Sequence, residues 1–224
     1  MKSKAELIQT SEFFAGLKAD ELDPIVNLII EKRYGRDDIL FFEGDATESL
    51  IFLASGVVKI FKTSPDGKEQ ILAIAHPEET LNEVPLFNGG LNTTTAQAMM
   101  PVVVYAISKR DIDSLMARYP LVASNVIHIL AKRTRQLVNL VEELSFKRVN
   151  SRLAGILLEN AILDGQAGGA RLTQRDMAAM AGTAREVISR SLKTMEDDGI
   201  ISFDKHRLII NDRDALKRVA ETYS

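Results

Sequence analysis

Thr173–Asp198 reads TQRDMAAMAGTAREVISRSLKTMEDD, and its spacing predicts two short helices joined by a tight turn. Thr173 is placed to accept a hydrogen bond from a free amide of the first turn, as an N-cap threonine does. Asp176 stands three residues on, where a capping box carries its acid. Met177, Ala178 and Ala181 make a small apolar face at i, i+1, i+4 spacing. Gly182 falls where the chain must turn sharply, which suits a residue tolerant of positive φ. Thr183 is then positioned to cap a second helix from about Ala184 to Asp197. Val187, Ile188, Ser191, Leu192 and Met195 give that helix a buried face; Arg185, Glu186, Ser189 and Arg190 lie opposite, in its first two turns. This is the pattern of a helix-turn-helix whose second helix meets a major groove. Arginine can donate twice to guanine, and glutamate can accept from cytosine N4. Thr173, Gln174, Arg175 and Thr183 complete the expected DNA-binding set. The alternative reading is a solvated face on an ordinary helical hairpin.

The composition bounds the rest. A chain of 224 residues exceeds the usual domain size of about 100–150, and 46% hydrophobic content lets each half bury a core. No run approaches the ~18 apolar residues of a membrane helix. The N-terminal MKSKAELIQTSEFF has charges and no apolar signal core, so a cytoplasmic protein is expected. There is no cysteine, which excludes disulfides, thiolate metal sites, cysteine-ligated iron–sulfur clusters and cysteine nucleophiles. The net charge of −3 is uneven: Lys147–Ser224 has 13 basic against 11 acidic residues, and the remainder 15 against 20. A DNA-binding tail this mildly basic depends on placed cations, not on bulk charge.

Upstream, Lys4–Gln9 and Asp20–Ile30 have helical patterns, and Pro24 sits early in the second, where proline is tolerated. From Lys32 to Ser108 the period shortens to strands near Ile39–Phe42, Ser49–Ala54, Gly56–Thr63, Glu69–Ala75, Thr94–Ala98 and Val102–Ser108. Asp66-Gly67 is a strong hairpin signal. Many short strands with glycine corners predict a small barrel or jelly roll, either enclosing one ligand or filled by its own side chains. Lys109–Arg118 is a short helix, and Pro120–Phe146 a long one, with Ile127, Thr134 and Val141 at a and Leu130, Leu137 and Leu144 at d of a heptad. Such a seam pairs two copies of a chain or packs on the chain's own roll; Val126, Ile129, Val138 and Leu140 widen the apolar surface enough for both. Lys147–Leu163 is a further helix. Gly165–Gly169 lacks the Lys-Ser/Thr ending of a phosphate loop and is a plain connection. Ile200–Phe203 and Arg207–Ile210 flank Asp204-Lys205-His206 as a two-stranded wing, and Asp212 caps a last helix, Arg213–Tyr223. No nucleophile elbow, metal triad or phosphate loop points to an enzyme.

The order β-roll, long helix, winged helix-turn-helix resembles the cyclic-AMP receptor protein/fumarate-nitrate regulator (CRP/FNR) superfamily of bacterial transcription regulators. It is carried by TQRDMAAMAGTAREVISRSLKTMEDDGII and by LNEVPLFNGGLNTTTAQA at the end of the roll. The resemblance implies an α+β chain: a double-stranded β-helix (jelly-roll, cyclic-nucleotide-binding-like) domain over 1–119, a dimerisation helix over 120–146 and a winged helix-turn-helix over 147–224. It implies a homodimer that binds double-stranded DNA and works with RNA polymerase, with no membrane association. It places an effector pocket at Asn82, Glu83, Thr93, Thr94, Leu137 and Val138. In members that bind cyclic nucleotides, a Gly-Glu pair and an Arg-Ser/Thr pair hold the ribose and phosphate. Glu83 matches; Asn82 replaces the glycine and Thr93 replaces the arginine. Threonine cannot supply the charge of an arginine–phosphate contact. Leu137 and Val138 stand where the cyclic-AMP protein offers hydroxyls to the base. Both departures speak against cyclic AMP, and the missing cysteines against an iron–sulfur centre. Another branch carries haem and senses nitric oxide or carbon monoxide. An axial ligand would then come from His76 or His128, each also readable as an ordinary surface or packed histidine; His206, in the wing, is a poor candidate. A small organic or anionic effector, an effector-independent self-filled roll and a cyclic-nucleotide-binding regulatory module are the other readings. Glu186, Ser189 and Arg190 resemble the fumarate-nitrate branch with its TTGAT-like half-site, and Arg185 the cyclic-AMP branch with TGTGA. The expected site is an inverted repeat of TTGTGA- or TTGA-like half-sites.

Overall fold

The computed structural model describes residues 3–164, 172–204 and 207–222. The expected connection at Gly165–Gly169, the tip of the wing at Lys205 and His206, and Tyr223 lie outside them. The chain divides into two compact units, Met1–Lys62 with Ala73–Gln136, and Thr63–Leu72 with Leu137–Ser224.

The first unit opens with helix α1 (Lys4–Thr10), a 3₁₀ turn (Glu12–Phe14) and α2 (Ala19–Val26). Ser3 and Glu6 form a reciprocal capping box at the start of α1. The helix expected up to Ile30 stops at Val26, and the chain becomes strand β1 (Ile30–Tyr34) instead. β2 (Ile39–Phe41), β3 (Ser49–Ser55), β4 (Val58–Thr63), β5 (Glu69–Ala75) and β6 (Thr80–Leu81) follow. A short helix α3 (Glu83–Asn88), then β7 (Thr95–Ala98) and β8 (Val102–Ser108), complete the roll. Its two four-stranded sheets have the orders β1-β8-β3-β6 and β2-β7-β4-β5.

The alternation of β3 and β8 decides what lies where. Between its terminal serines SLIFLAS is apolar without a break because both of its faces are covered, which is how such a run arises. Ile51 and Leu53 face the roll interior with Val58, Ala75, Leu81, Ala96, Ala98, Val102 and Val104. Leu50, Phe52 and Ala54 belong to a second cluster with Tyr105, Ile107 and the helices, including Leu7, Phe13, Phe14 and Ile25. Phe13 meets Phe14 and Phe52 edge-on at 5.2 and 5.9 Å, the geometry the ring quadrupole favours.

After β8, Ser108 caps α4 (Lys109–Arg118), and α5 (Pro120–Phe146) runs for 27 residues. Val122, Val126 and Ile129 bury its N-terminal half on the helix-side cluster. Asn125 Nδ2 donates to the carbonyls of Phe13 and Ala15 at 3.2 and 2.9 Å, fixing the helix's start on the roll. Ile127, Leu137, Val138, Val141 and Leu144 are exposed on this single chain. Leu130, placed on the seam by register, is partly buried against the roll's own cluster because it lies one turn beyond Val126 on that face.

The second unit contains α6 (Val149–Asp164), α7 (Gln174–Ala181), α8 (Arg185–Asp197), β9 (Ile201–Asp204), β10 (Arg207–Ile210) and α9 (Arg213–Ala220). Leu153, Ala154, Leu157, Met177, Ala181, Ile188, Leu192, Met195 and Leu216 are its centre. β9 and β10 pair antiparallel as the expected wing, Ile210 opposite Ile201. Asp212 Oδ1 accepts from the Ala215 amide at 2.8 Å, the expected cap of α9.

Candidate nucleic-acid interface and roll site

The α7–α8 motif is built from local chemistry. Thr173 Oγ1 accepts from the Asp176 amide at 3.1 Å, and Asp176 Oδ2 accepts from the Thr173 amide at 2.9 Å. The capping box is therefore complete with aspartate in place of the usual glutamate. Gly182 ends α7 at φ 63°, ψ 41°, the left-handed conformation in which a helix commonly stops at glycine. Thr183 does not cap α8. The N-cap is Ala184 and carries no side-chain bond, while the Thr183 amide donates back to the Ala178 carbonyl at 3.0 Å. That bond belongs to the end of α7, so the chain spends Thr183 on the turn and starts the next helix one residue later.

Within α8, Ile188, Ser191, Leu192 and Met195 are buried, while Arg185, Glu186, Ser189 and Arg190 are exposed. Ser191 is a polar residue on the inward face and donates to Asn150 Oδ1 at 2.6 Å, which removes the cost of burying its hydroxyl. Lys193 is exposed one turn beyond Ser189 and Arg190 and extends the same cationic face. Its i+7 spacing from Glu186 is a signal that the two-turn limit placed on the reading face passed over. Among the α7 candidates, Arg175 is exposed, as is Thr173, and Gln174 is half-buried. Arg152 secures α7 from below: its Nε donates to the Ala181 carbonyl at 2.8 Å and its Nη1 to the Lys147 carbonyl at 2.5 Å. One guanidinium thus satisfies an orphan carbonyl at the end of α7 and joins it to the chain just after α5.

The hairpin linking β4 to β5 belongs to this same compact unit. The Ser64 amide donates to the Lys68 carbonyl at 2.9 Å, the Lys68 amide donates to the Ser64 hydroxyl at 3.1 Å, and the Gly67 amide donates to the Ser64 carbonyl at 2.8 Å, with Gly67 at φ 81°. The hydroxyl also donates to Asp66, and that bond, ahead of the backbone amide, holds the Asp66 carboxyl below its ordinary range. At the base of the hairpin, Gln70 Nε2 donates to the Met180 carbonyl at 3.4 Å, and Glu69 Oε1 lies 3.5 Å from Arg175 Nη2.

A second constellation lies in the roll. Asn82 stands at φ 72°, ψ 17° before α3. This is the conformation a glycine supplies freely and one that asparagine also visits, so replacing the resembled motif's glycine keeps its backbone turn. Glu83 is buried. The Thr80 hydroxyl donates to its Oε1, and Arg133 Nη2 reaches the same oxygen at 3.4 Å and the Thr80 carbonyl at 3.0 Å. Arg133 Nη1 donates to Gln136 Oε1 at 3.1 Å. Arg133 was not among the expected pocket residues; its signal is a lone arginine on a helix face otherwise given to apolar contacts, matched to an acid whose neighbours are buried. Thr93 is exposed and Thr94 half-buried in the bend between α3 and β7, and neither adds a charge to this group. Leu137 and Val138 are exposed on α5. His128 is exposed on α5, and His76 follows β5 with its amide donating to Glu79 Oε2 at 3.3 Å. Neither belongs to the apolar cluster filling the roll. The described histidines therefore do not fit a haem held within that interior, which needs an axial ligand there.

Residues 31–119 match the cyclic nucleotide-binding domain family, and residues 151–219 the Crp-like helix-turn-helix domain family. The chain is 30% identical to the cyclic AMP receptor protein of Thermus thermophilus, covering 94% of this chain and 97% of that one. It is 28% identical to the CRP-like cAMP-activated global transcriptional regulator of Mycobacterium tuberculosis, over 96% and 99%. Among solved structures it is similar to FixK2 of Bradyrhizobium japonicum, with a TM-score of 0.76 and 23% identity over 88% and 99% of the two chains.

A Cβ built on Gly182 meets Leu144 Cδ2 at 3.1 Å and Gln70 Oε1 at 3.2 Å, at a φ that L side chains rarely adopt. Gly182→Ala is expected to destabilise the C-terminal unit by about 1–2 kcal/mol, the cost of a left-handed L-residue. Urea denaturation followed by far-UV circular dichroism checks this, and an unchanged midpoint contradicts the role assigned to the turn.

Proposed function

This chain belongs to the CRP/FNR family of transcription regulators, and from that premise we propose that it works as a homodimer reading an inverted repeat in the cytoplasm, together with RNA polymerase. The observation that carries the reading is the division of α8, with Arg185, Glu186, Ser189 and Arg190 open to solvent over a buried Ile188–Leu192–Met195 face. Arg190 and Glu186 are one turn apart and reach one G-A step together: Arg190 donates to the guanine, and Glu186 accepts from the cytosine of the opposite strand. Arg185 adds a second guanine contact outside that step and Ser189 meets the flanking thymine, giving TTGTGA- or TTGA-like half-sites. Arg175, Thr173, Gln174, Thr183 and Lys193 serve the phosphates, whose contacts position without specifying. Half-site centres about one helical turn apart suit a two-fold dimer.

The exposed α5 residues Ile127, Leu137, Val138, Val141 and Leu144 support pairing through that helix. Thr134 is exposed on the same seam, one heptad after Ile127. Leu130 contributes from its partly covered edge.

The effector of the roll is not cyclic AMP. Arg133 is committed to Glu83, Thr80 and Gln136, and Thr93 brings no cation to a cyclic phosphate. Glu83 and the backbone turn at Asn82 keep a hydroxyl-binding corner without a phosphate-binding one, which favours a neutral ligand or none. An effector acts only through unequal affinity for two arrangements of the recognition helices.

Random-site selection with the purified dimer is expected to return an inverted repeat containing G-A, and Arg190→Ala to cost about 1–3 kcal/mol while relaxing one base position. A uniform loss across all sequences contradicts the assignment. Val141→Asp places a charge on the seam without entering the roll's core; sedimentation should then report monomers, and a full-strength dimer sinks the seam. Calorimetry with cyclic AMP should show no micromolar binding, and saturable heat with enhanced DNA binding overturns the effector reading.

A further inference from the structure

We propose that Glu69 is a built-in phosphate mimic: its carboxylate holds Arg175 when DNA is absent, and a backbone phosphate must displace it. The inference rests on the DNA-binding reading of α7 and α8, and deepens it by naming what regulates the phosphate contact. Arg175 occupies the first turn of α7, the helix that crosses the DNA backbone in this motif. Carboxylate and phosphate are interchangeable partners for a guanidinium, both binding through charge-assisted hydrogen bonds. Glu69 Oε1 is 3.5 Å from Arg175 Nη2, and the exposures are unequal: the Arg175 side chain is 77% exposed and that of Glu69 22%. The acid is therefore held in place while the cation remains open to exchange.

Two further contacts keep the acid there. Gln70, the next residue, donates to the Met180 carbonyl on the last turn of α7. Its Oε1 also packs where Gly182 has no side chain, 3.2 Å from a Cβ built there. The hairpin is stiffened at its tip by Ser64 and Lys68. Glu69 is moreover the first residue of β5, a strand of the roll. The competition is independent of base sequence, because phosphate contacts carry no sequence information.

The test uses the full-length chain, a random-sequence duplex longer than two helical turns and a duplex holding the selected inverted repeat. Fluorescence anisotropy is read across a salt titration. Exposed ion pairs change equilibria by about 1.5–5-fold, so a dimer with two such latches should gain about 2–25-fold in affinity with Glu69→Gln. The gain should be equal on both duplexes and absent when Arg175→Gln is already present. Arg175→Gln alone should weaken binding to all sequences and reduce the salt slope by about 1 for each phosphate left without its cation; this measurement does not depend on the Glu69 variant folding. An unchanged or weaker Glu69→Gln, a gain that persists without Arg175, or an unchanged salt slope overturns the mimic. If the unaltered chain binds neither duplex, the DNA reading itself falls; if it binds both and only the Glu69 effect is missing, the mimic alone falls.

Discussion

A carboxylate withdrawn from water must be matched by a counter-charge or by protonation, and burying Glu83 imposes that demand on the roll. The match comes from α5, 50 residues further along, through Arg133. Removing one partner of a buried pair costs about 3–5 kcal/mol. Here the figure is lower, because the Arg133 side chain is 25% exposed and the contact is 3.4 Å long. Its value is directional. Together with Asn125 and the buried face at Val122, Val126 and Ile129, it sets the direction in which the helix leaves the roll. The apolar stripe left exposed farther along α5 is what remains once that packing has taken its share.

In the C-terminal unit the same economy works at shorter range. A single apolar centre takes one face each of α6, α7, α8 and α9. The polar groups caught at its border are each given a partner: Ser191 has Asn150, and the Ala181 carbonyl has Arg152. The exposed face of α8 can be so polar because the core asks nothing of it.

Much of this was legible along the chain because it is local. Capping at Thr173 and Asp212, the glycine stop at Gly182 and the period of α8 each depend on neighbours within about one turn. β3 and β8 were legible for a different reason, their unbroken apolar runs. β1 was not: IEKRY is exposed along most of its length, and its strand state comes from pairing with Val102–Ala106 of β8. α3, six residues long and launched by a left-handed asparagine, leaves too short a pattern for periodicity to register. The heptad traces the exposed stripe of α5 but not its edge, since register cannot say that Leu130 already has a neighbour in the roll. Glu83 was found and Arg133 missed for the same reason. An acid in a motif is visible by itself, whereas its partner is defined only by the fold that joins them.

The hairpin at Thr63–Leu72 joins the C-terminal compact unit from far away in the sequence. Gln70 meets Met180, 110 positions further along the chain. Closing a loop of that length must be offset by contacts already in place. During synthesis the hairpin emerges long before α7 does, and domains formed from the N-terminus tend to fold first. The C-terminal compact unit therefore includes a segment made well before the rest of it. Its Gln70–Met180 contact can form only once α7 has been made, so this unit is completed late although one of its parts is made early.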